Sequence, residues 1–240
     1  MKLSVIIPVY NEKSTIAKVI DEVNRVPIKK EIIVVDDGST DGTVEAIKEK
    51  EHEVTKVHLS RINFGKGAAV RVGLTYVTGD VVIIQDADTE LNPKEYHRLL
   101  AEIERGADVV YGTRFLKPDP EINLITRLAN KFLTGLTNLL YGSRITDMEC
   151  AYKMFRTEVA RRLSLRCVGF EFEPEITAQF LSLGYQISEV SIAYAPRNTE
   201  EGKKITWRDG VRAIYYLFFY RFTMKKRFHA LRKKQNIQPE

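Results

Sequence analysis

The chain has 240 residues, 44% of them apolar and 29% charged, and carries a net charge of +5. Those proportions suit a globular chain long enough to bury a sizeable core, and they exclude collagen-like, low-complexity and disordered classes. Its two cysteines, Cys150 and Cys167, lack the paired spacing of a zinc site or disulfide framework, so a reducing, cytoplasmic setting is expected.

The start, "MKLSVIIPVY", reads as a strand, not as a leader peptide. No apolar run reaches the ~18 residues of a membrane span, and no internal repeat is visible. "LSVIIPVY" is a β-branched apolar run, which predicts a buried strand. Ile16, Val19, Ile20 and Val23 then recur at helical spacing. "EIIVVDDGS" is a second buried strand, "DGTVEAIKEK" a short helix with Asp41 as its cap, and "VTKVHLS" a third strand. "GKGAAVRVGLTYV" is a helix and "DVVIIQDAD" a fourth strand. "NPKEYHRLLAEIERG" is a helix with Pro93 near its start and Gly106 at its end, and "ADVVYGTRF" is a fifth strand. Alternating strands and helices, with strands apolar on both faces, predict an α/β fold: a mostly parallel sheet with helices on both sides.

Beyond Arg114 the alternation loosens. Residues 121–141 and 173–183 read as helices, while "ITDMECAYKMFR" and "YQISEVSIAYAP" read as strands. Thr206 with Asp209 resembles a capping box opening a last helix. The expected organisation is one domain over residues 1–222 and a basic tail over 223–240. Residues 203–240 hold eleven Lys or Arg against two acids, a net +9, so the remainder stands at −4. Trp207, Val211, Ile214, Leu217 or Phe218, and Phe222 recur at helical spacing before "KKRFHALRKK". An apolar-aromatic helix followed by basic residues fits an anionic membrane surface through residues 207–234, and equally a stripe packed on the body with a solvated end. No recognisable nucleic-acid module accompanies the charge, so nucleic acid is not an expected partner.

In an open parallel sheet, ligands bind beyond the carboxyl ends of the strands. Those ends carry Pro8, Tyr10, Asn11 and Glu12; Asp36 and Asp37; Asp86, Asp88 and Glu90; and Gly112 with Arg114. Carboxylates this crowded repel one another unless a cation or a donor-rich ligand compensates. Asp86 and Asp88, one residue apart at a strand end, suit one hard divalent cation. "DDGSTDG" is not a calcium loop, since its twelfth position is Lys48. "NFGKGAA" is not a phosphate loop, since Gly67 replaces the required hydroxyl; it reads as a tight turn entering a helix.

"SVIIPVYNE", "IIVVDDGSTDGT", "NFGKGAAVRVGL", "QDAD" and "VVYGTRF", in this order, resemble glycosyltransferase family 2 over about residues 3–222. Within it, the chain most resembles dolichol- or polyprenyl-phosphate mannose or glucose synthases. The resemblance implies the GT-A fold and an inverting, metal-dependent hexose transfer from a nucleotide-diphospho-sugar, GDP-mannose or UDP-glucose, to a polyprenyl phosphate. It implies donor binding by Pro8, Tyr10, Glu12 and Asp37, and Mg²⁺ or Mn²⁺ held by Asp86, Asp88 and Glu90. Glu90 stands where such synthases often have Gln. Arg114 would face the phosphates or the acceptor, and Arg197 with Lys203 or Lys204 would close over the diphosphate from a basic loop. A lipid phosphate needs an electropositive cradle, for which Arg114 and Arg127 are candidates, whereas a hydroxyl acceptor needs a carboxylate base, for which Asp147 and Glu149 are candidates. Many such synthases carry transmembrane helices after this point, and none is expected here. Transfer to a glycan or small-molecule hydroxyl, and a non-catalytic nucleotide-sugar binding module, therefore stay open beside the lipid acceptor. The expected location is cytoplasmic, peripheral on the cytoplasmic face of a membrane.

Overall fold

Among the described residues the strands form one seven-stranded sheet, ordered from edge to edge as Lys56–Leu59, Lys30–Asp36, Leu3–Val9, Val81–Ile84, Lys153–Arg156, Val109–Thr113 and Ile187–Ser191. The structure is a computed structural model that describes residues 1–116, 124–196 and 210–223. In chain order the strands are β1 (Leu3–Val9), β2 (Lys30–Asp36), β3 (Lys56–Leu59), β4 (Val81–Ile84), β5 (Val109–Thr113), β6 (Lys153–Arg156) and β7 (Ile187–Ser191). The helices are α1 (Ile16–Arg25), α2 (Thr43–Glu49), α3 (Lys66–Thr75), α4 (Tyr96–Glu104), α5 (Leu124–Tyr141), α6 (Thr157–Ala160) and α7 (Phe172–Ser182). Residues 210–223 are helical and are called α8.

Side chains on a strand alternate between faces, and the composition of each strand uses both. Val5, Ile7 and Val9 of β1 pack with Ile16, Val19, Ile20 and Val23 of α1 and with α4. Ile6, one residue out of phase, packs on the other face with Ala69 and Val70 of α3 and Phe172, Ile176 and Phe180 of α7. A sheet covered on both faces explains why its strands read as continuous apolar runs.

β6 alone runs antiparallel, pairing β4 on one side and β5 on the other. The expected strand over "ITDMECAYKMFR" is thus shorter than read, and only its last four residues join the sheet. The preceding stretch is held elsewhere: the Glu189 carboxylate accepts the N–H groups of Thr146 and Asp147, at 2.8 and 3.1 Å. Asp41 was expected to cap α2, but Gly42 (φ +95°) holds the cap position; Asp41, one residue earlier, accepts from the Thr43 N–H at 3.0 Å and closes the turn that leads into the helix. Thr206 and Asp209 lie outside the described residues, although a last helix is present as α8.

At the amino end of the sheet, Glu31 is buried and accepts from Ser4 Oγ (2.5 Å), Thr78 N (2.6 Å) and Gly79 N (3.1 Å), and it pairs with Lys2. Burial works against the charge, but Lys2, Ser4 and Thr78 outweigh it and hold the carboxyl down at about 2.

Candidate active site

The carboxyl ends of β1, β2, β4 and β5 lie on one rim, because these four strands run parallel. Pro8 is buried within β1, and β1 pairs with β4 only as far as Ile6, so the missing N–H of Pro8 costs that pairing nothing. The loop after β1 is stitched to the loop after β2. Asn11 N donates to Ser39 Oγ (2.9 Å), Thr40 N to Asn11 Oδ1 (2.8 Å) and Glu12 N to Thr43 Oγ1 (2.8 Å). This places Tyr10 and Glu12, both partly exposed, beside the Asp36–Asp37 pair.

The two aspartates divide their work. Asp36 Oδ2 accepts from Gly38 N (3.1 Å) and Ser39 N (3.0 Å) and shapes the turn. Asp37 reaches the loop before α3, where its oxygens accept from Phe64 N (3.0 Å) and Gly65 N (2.6 Å). Burial pushes its carboxyl upward against those two bonds. Gly38 (φ +77°) is required here, since a Cβ would lie 2.5 Å from the Ile62 backbone. Gly65 (φ +105°) is equally constrained, since its Cβ would meet the Val168 carbonyl oxygen at 2.4 Å.

At the end of β4, Asp86 meets a cation supplied by the chain. Lys66 Nζ lies 2.8 Å from Asp86 Oδ1 and 2.9 Å from Glu173. Glu173 in turn pairs with Lys153, which is fully buried and also donates to the Met148 and Cys150 carbonyls. Asp86, Lys66, Glu173 and Lys153 thus form a chain of alternating charge running from the rim into the core. Burial alone would lower the Lys66 pKa, but the two carboxylates outweigh it and raise it. Burial likewise opposes the charge on Glu173, and the two lysines hold its carboxyl below the usual range. None of these three partners was singled out from sequence. Lys66 sits in the turn "NFGKGAA", Glu173 is one of two glutamates in α7, and Lys153 opens β6.

Beyond Asp86 the backbone is strained. Thr89 has φ +62° and Asn11 has φ +53°, the two non-glycine residues with positive φ among those described. A β-branched residue in that region is a genuine outlier, and such outliers cluster at functional sites. Glu90 N donates to Asp88 Oδ1 at 3.1 Å. The donor set fits a hard divalent cation: two oxygen-donor aspartates, Asp86 and Asp88, partly exposed on the rim. Among the described residues no three acids gather into a metal cluster, so Asp86, Asp88 and Glu90 do not form a ready-made three-carboxylate cage.

Arg114, at the end of β5, is gripped by Asp147. Its Nε and Nη2 donate at 2.7 and 2.8 Å, and its backbone N–H at 3.1 Å. Asn130 of α5 donates to the same carboxylate at 2.9 Å. Burial would raise the Asp147 pKa, but Arg114 overrides it, and Asp147 stays a carboxylate. Its oxygens are thereby committed to Arg114 and Asn130, which is a bracing arrangement and not that of a base aimed at an acceptor. The guanidinium also lies 5.2 Å over the Tyr194 ring, and the Tyr194 backbone is bridged to Leu91, with Ala195 N donating to the Glu90 carbonyl at 3.0 Å. Tyr194, unremarked in the sequence, so joins the ends of β4 and β5. Glu149 has Oε1 sealed from solvent without a partner. Burial, reinforced by Glu173, pushes its carboxyl up to about 7. Arg127 lies on α5, one turn from Asn130, with Nε buried and unpartnered. Arg197, Lys203 and Lys204 lie outside the described residues.

Residues 4–164 match glycosyl transferase family 2. The chain is 30% identical over 209 residues to the undecaprenyl-phosphate 4-deoxy-4-formamido-L-arabinose transferase of Edwardsiella ictaluri, covering 84% of this chain and 62% of that protein. The protein of the same name from Salmonella choleraesuis is 33% identical over 174 residues, covering 69% and 52%. The chain therefore spans less than two thirds of the length of these relatives. Among solved structures, glucosyl-3-phosphoglycerate synthase from Mycobacterium tuberculosis, crystallised with Mn²⁺, UDP and glucosyl-3-phosphoglycerate, superposes with a TM-score of 0.72 at 22% identity, covering 91% and 79%. Mannosyl-3-phosphoglycerate synthase from Rubrobacter xylanophilus gives 0.70 at 22%, covering 100% and 76%. The fold is that of the GT-A glycosyltransferases, and the chain belongs to glycosyl transferase family 2.

Proposed function

We propose that this chain transfers a sugar from a nucleotide-diphospho-sugar to a polyprenyl phosphate, with inversion at the anomeric carbon. The observation that carries the acceptor is the similarity, over 84% of the chain, to proteins named as undecaprenyl-phosphate sugar transferases. The loops after β1 and β2, with Tyr10, Glu12 and Asp37, bind the nucleotide. Asp86 and Asp88 would hold Mg²⁺ or Mn²⁺, with Glu90 beside them. When bound, the metal supplies Lewis-acid stabilisation of the leaving diphosphate. Lys66 limits the repulsion at Asp86 before the donor arrives. Arg197 with Lys203 or Lys204 adds positive charge over the diphosphate.

A phosphate monoester is largely ionised at neutral pH and attacks without a base. Arg114, fixed by Asp147 and Asn130, and Arg127 on the same side of α5 cradle that acceptor. Residues 207–234 hold the protein peripherally on an anionic membrane surface.

The test incubates protein, Mn²⁺ or Mg²⁺ and a panel of nucleotide-sugars with and without polyprenyl phosphate, and measures released nucleoside diphosphate. Release should require both the lipid phosphate and Asp88, and should vanish in Asp88→Ala. The panel also separates the hexose expected from sequence from the formamido-arabinose of the relatives. Lipid-independent release that Asp88→Ala leaves intact would refute the reading.

One observation favours a second reading. Glu149, whose carboxyl burial and Glu173 push up to about 7, has the proton affinity suited to a base for a hydroxyl acceptor. Under that reading Glu149→Gln lowers turnover by about 10²–10⁴-fold. Under the lipid-phosphate reading it does not.

A further inference from the structure

α5 is built inside out. Its inward face carries Leu133 beside three polar residues, Asn130, Thr134 and Thr137, all buried and hydrogen-bonded: Thr134 Oγ1 donates to Asn130 Oδ1 and accepts from Met148 N, and Thr137 Oγ1 donates to the Leu133 carbonyl. Its outward face carries Leu124, Ile125, Leu128, Phe132 and Leu139, exposed by 59% or more, with Leu139 at 81%. A helix in water arranges these the other way round.

α8 lies against it. Ala213 and Leu217 of α8 share a core with Leu133 and Met148, and the Tyr141 hydroxyl donates to the Leu217 carbonyl at 2.7 Å. α8 is apolar on its far side too, where Val211, Tyr215, Phe218 and Phe222 are exposed at spacings of three and four. The two outward stripes belong to neighbouring helices, and together they exceed the scattered apolar exposure of an ordinary soluble surface.

The charge on this face identifies what covers it. α5 and α8 carry Arg127, Lys131, Arg212 and Arg221 and no acid, and residues 224–240 add six Lys or Arg against one acid. A second copy of the same face would bring like charges together, whereas an anionic bilayer supplies both an apolar interior and a negative surface. Neither helix meets the length and hydropathy needed to cross a membrane, so the fit is to the interface.

We infer that the outward face of α5, continuous with that of α8, is a lipid-contact surface seating the protein on an anionic bilayer. This deepens the polyprenyl-phosphate reading and rests on it for its purpose. The inward face of the same helix holds Asp147 and hence Arg114, so a bilayer-borne phosphate meets the candidate cradle one helix thickness from the lipid.

The test is flotation of the full chain with vesicles of phosphatidylcholine alone and of equal parts phosphatidylcholine and phosphatidylglycerol. Leu128→Glu with Phe132→Glu is the α5 variant, and a chain lacking residues 224–240 is the tail variant. Wild type should float with the anionic vesicles only. The α5 variant should lose about tenfold in partition per substitution while keeping its tail. A polar but smaller change, Leu128→Ser with Phe132→Ser, guards against misfolding, and far-UV circular dichroism checks each protein. Flotation of both α5 variants equal to wild type, with loss only on tail removal, overturns the inference. So does a dimer in sedimentation that the α5 variants dissociate, with no flotation of wild type. Turnover with detergent-dispersed polyprenyl phosphate separates the two proposals. Turnover without flotation sinks only the lipid surface, and α5-dependent flotation without turnover on any lipid phosphate sinks only the acceptor.

Discussion

Lys66→Met removes one positive charge from between two carboxylates while keeping nearly the same side-chain volume. At 2.8 and 2.9 Å, each attraction has a Coulomb ceiling of about 6 kcal/mol at an effective dielectric near 20, most of which desolvation offsets. Removing one partner of a buried pair typically costs about 3–5 kcal/mol. Two features of this site reduce that figure. Glu173 keeps Lys153, and the Asp86 side chain, 24% exposed, can turn toward water. The expected loss is therefore about 2–3 kcal/mol. In urea, with a slope of about 2–3 kcal/mol/M, it lowers the midpoint by about 1 M. Adding Asp86→Asn to Lys66→Met should restore at least half the loss, since the uncompensated charge is gone. High salt should change little, because the pair is largely shielded from solvent. A Lys66→Met midpoint equal to wild type, or a double variant whose losses simply add, would refute the alternating-charge account.

Two carboxyls give opposite pH signatures. Glu31 is depressed from 4.5 to about 2, so its contribution is complete above pH 4.5 and is lost as pH falls through about 2. Glu31→Gln should cost up to about 3 kcal/mol at pH 7, less because Lys2 reaches water, and nothing near pH 2; a loss independent of pH would contradict this. Glu149 is raised from 4.5 to about 7, so wild-type stability falls as pH rises between those values. Glu149→Gln should match wild type near pH 4.5 and exceed it by up to about 3 kcal/mol above pH 7. Parallel melting curves across that range would show that Glu149 titrates normally.

The parallel part of the sheet was legible because burial on both faces writes itself into "LSVIIPV", "EIIVVD" and "VVII" as unbroken apolar runs. β6 was not, since its direction depends on which neighbours leave a gap, and nothing local to "KMFR" encodes that. At the site, the residues readable from sequence are those at strand ends, where charge contrasts with an apolar run: Asp37, Asp86, Asp88 and Arg114. Lys66, Glu173 and Lys153 were hidden because a charge in a turn or at the start of a helix or strand looks like surface, and their ion-pair partners lie 20 or more residues away. Asp147 was seen but open to two roles, and only the bidentate grip on Arg114 distinguishes a brace from a base. The stripe from Trp207 to Phe222 was seen as one feature; Trp207 lies outside the described residues, and the rest proves to be two, with Ile214 and Leu217 packed inward and Val211, Phe218 and Phe222 facing out.

The tight fit of Gly65 against Val168 has a consequence for how the molecule is made. The N-terminal strands and helices can assemble as they leave the ribosome, since β1, β2, β3 and β4 pair among themselves. The loop that receives Asp37 cannot take its final shape with them, because the surface against which it closes, residues 167–169, has yet to be synthesised. That surface is itself fixed only when Glu175 accepts the N–H groups of Arg166 and Cys167, and Glu175 is in turn clasped by the Tyr220 hydroxyl. The wall that receives Asp37 is thus complete only once Tyr220 has been synthesised. A nascent chain carries the Asp37 and Asp86 sequences long before it can present them as a site.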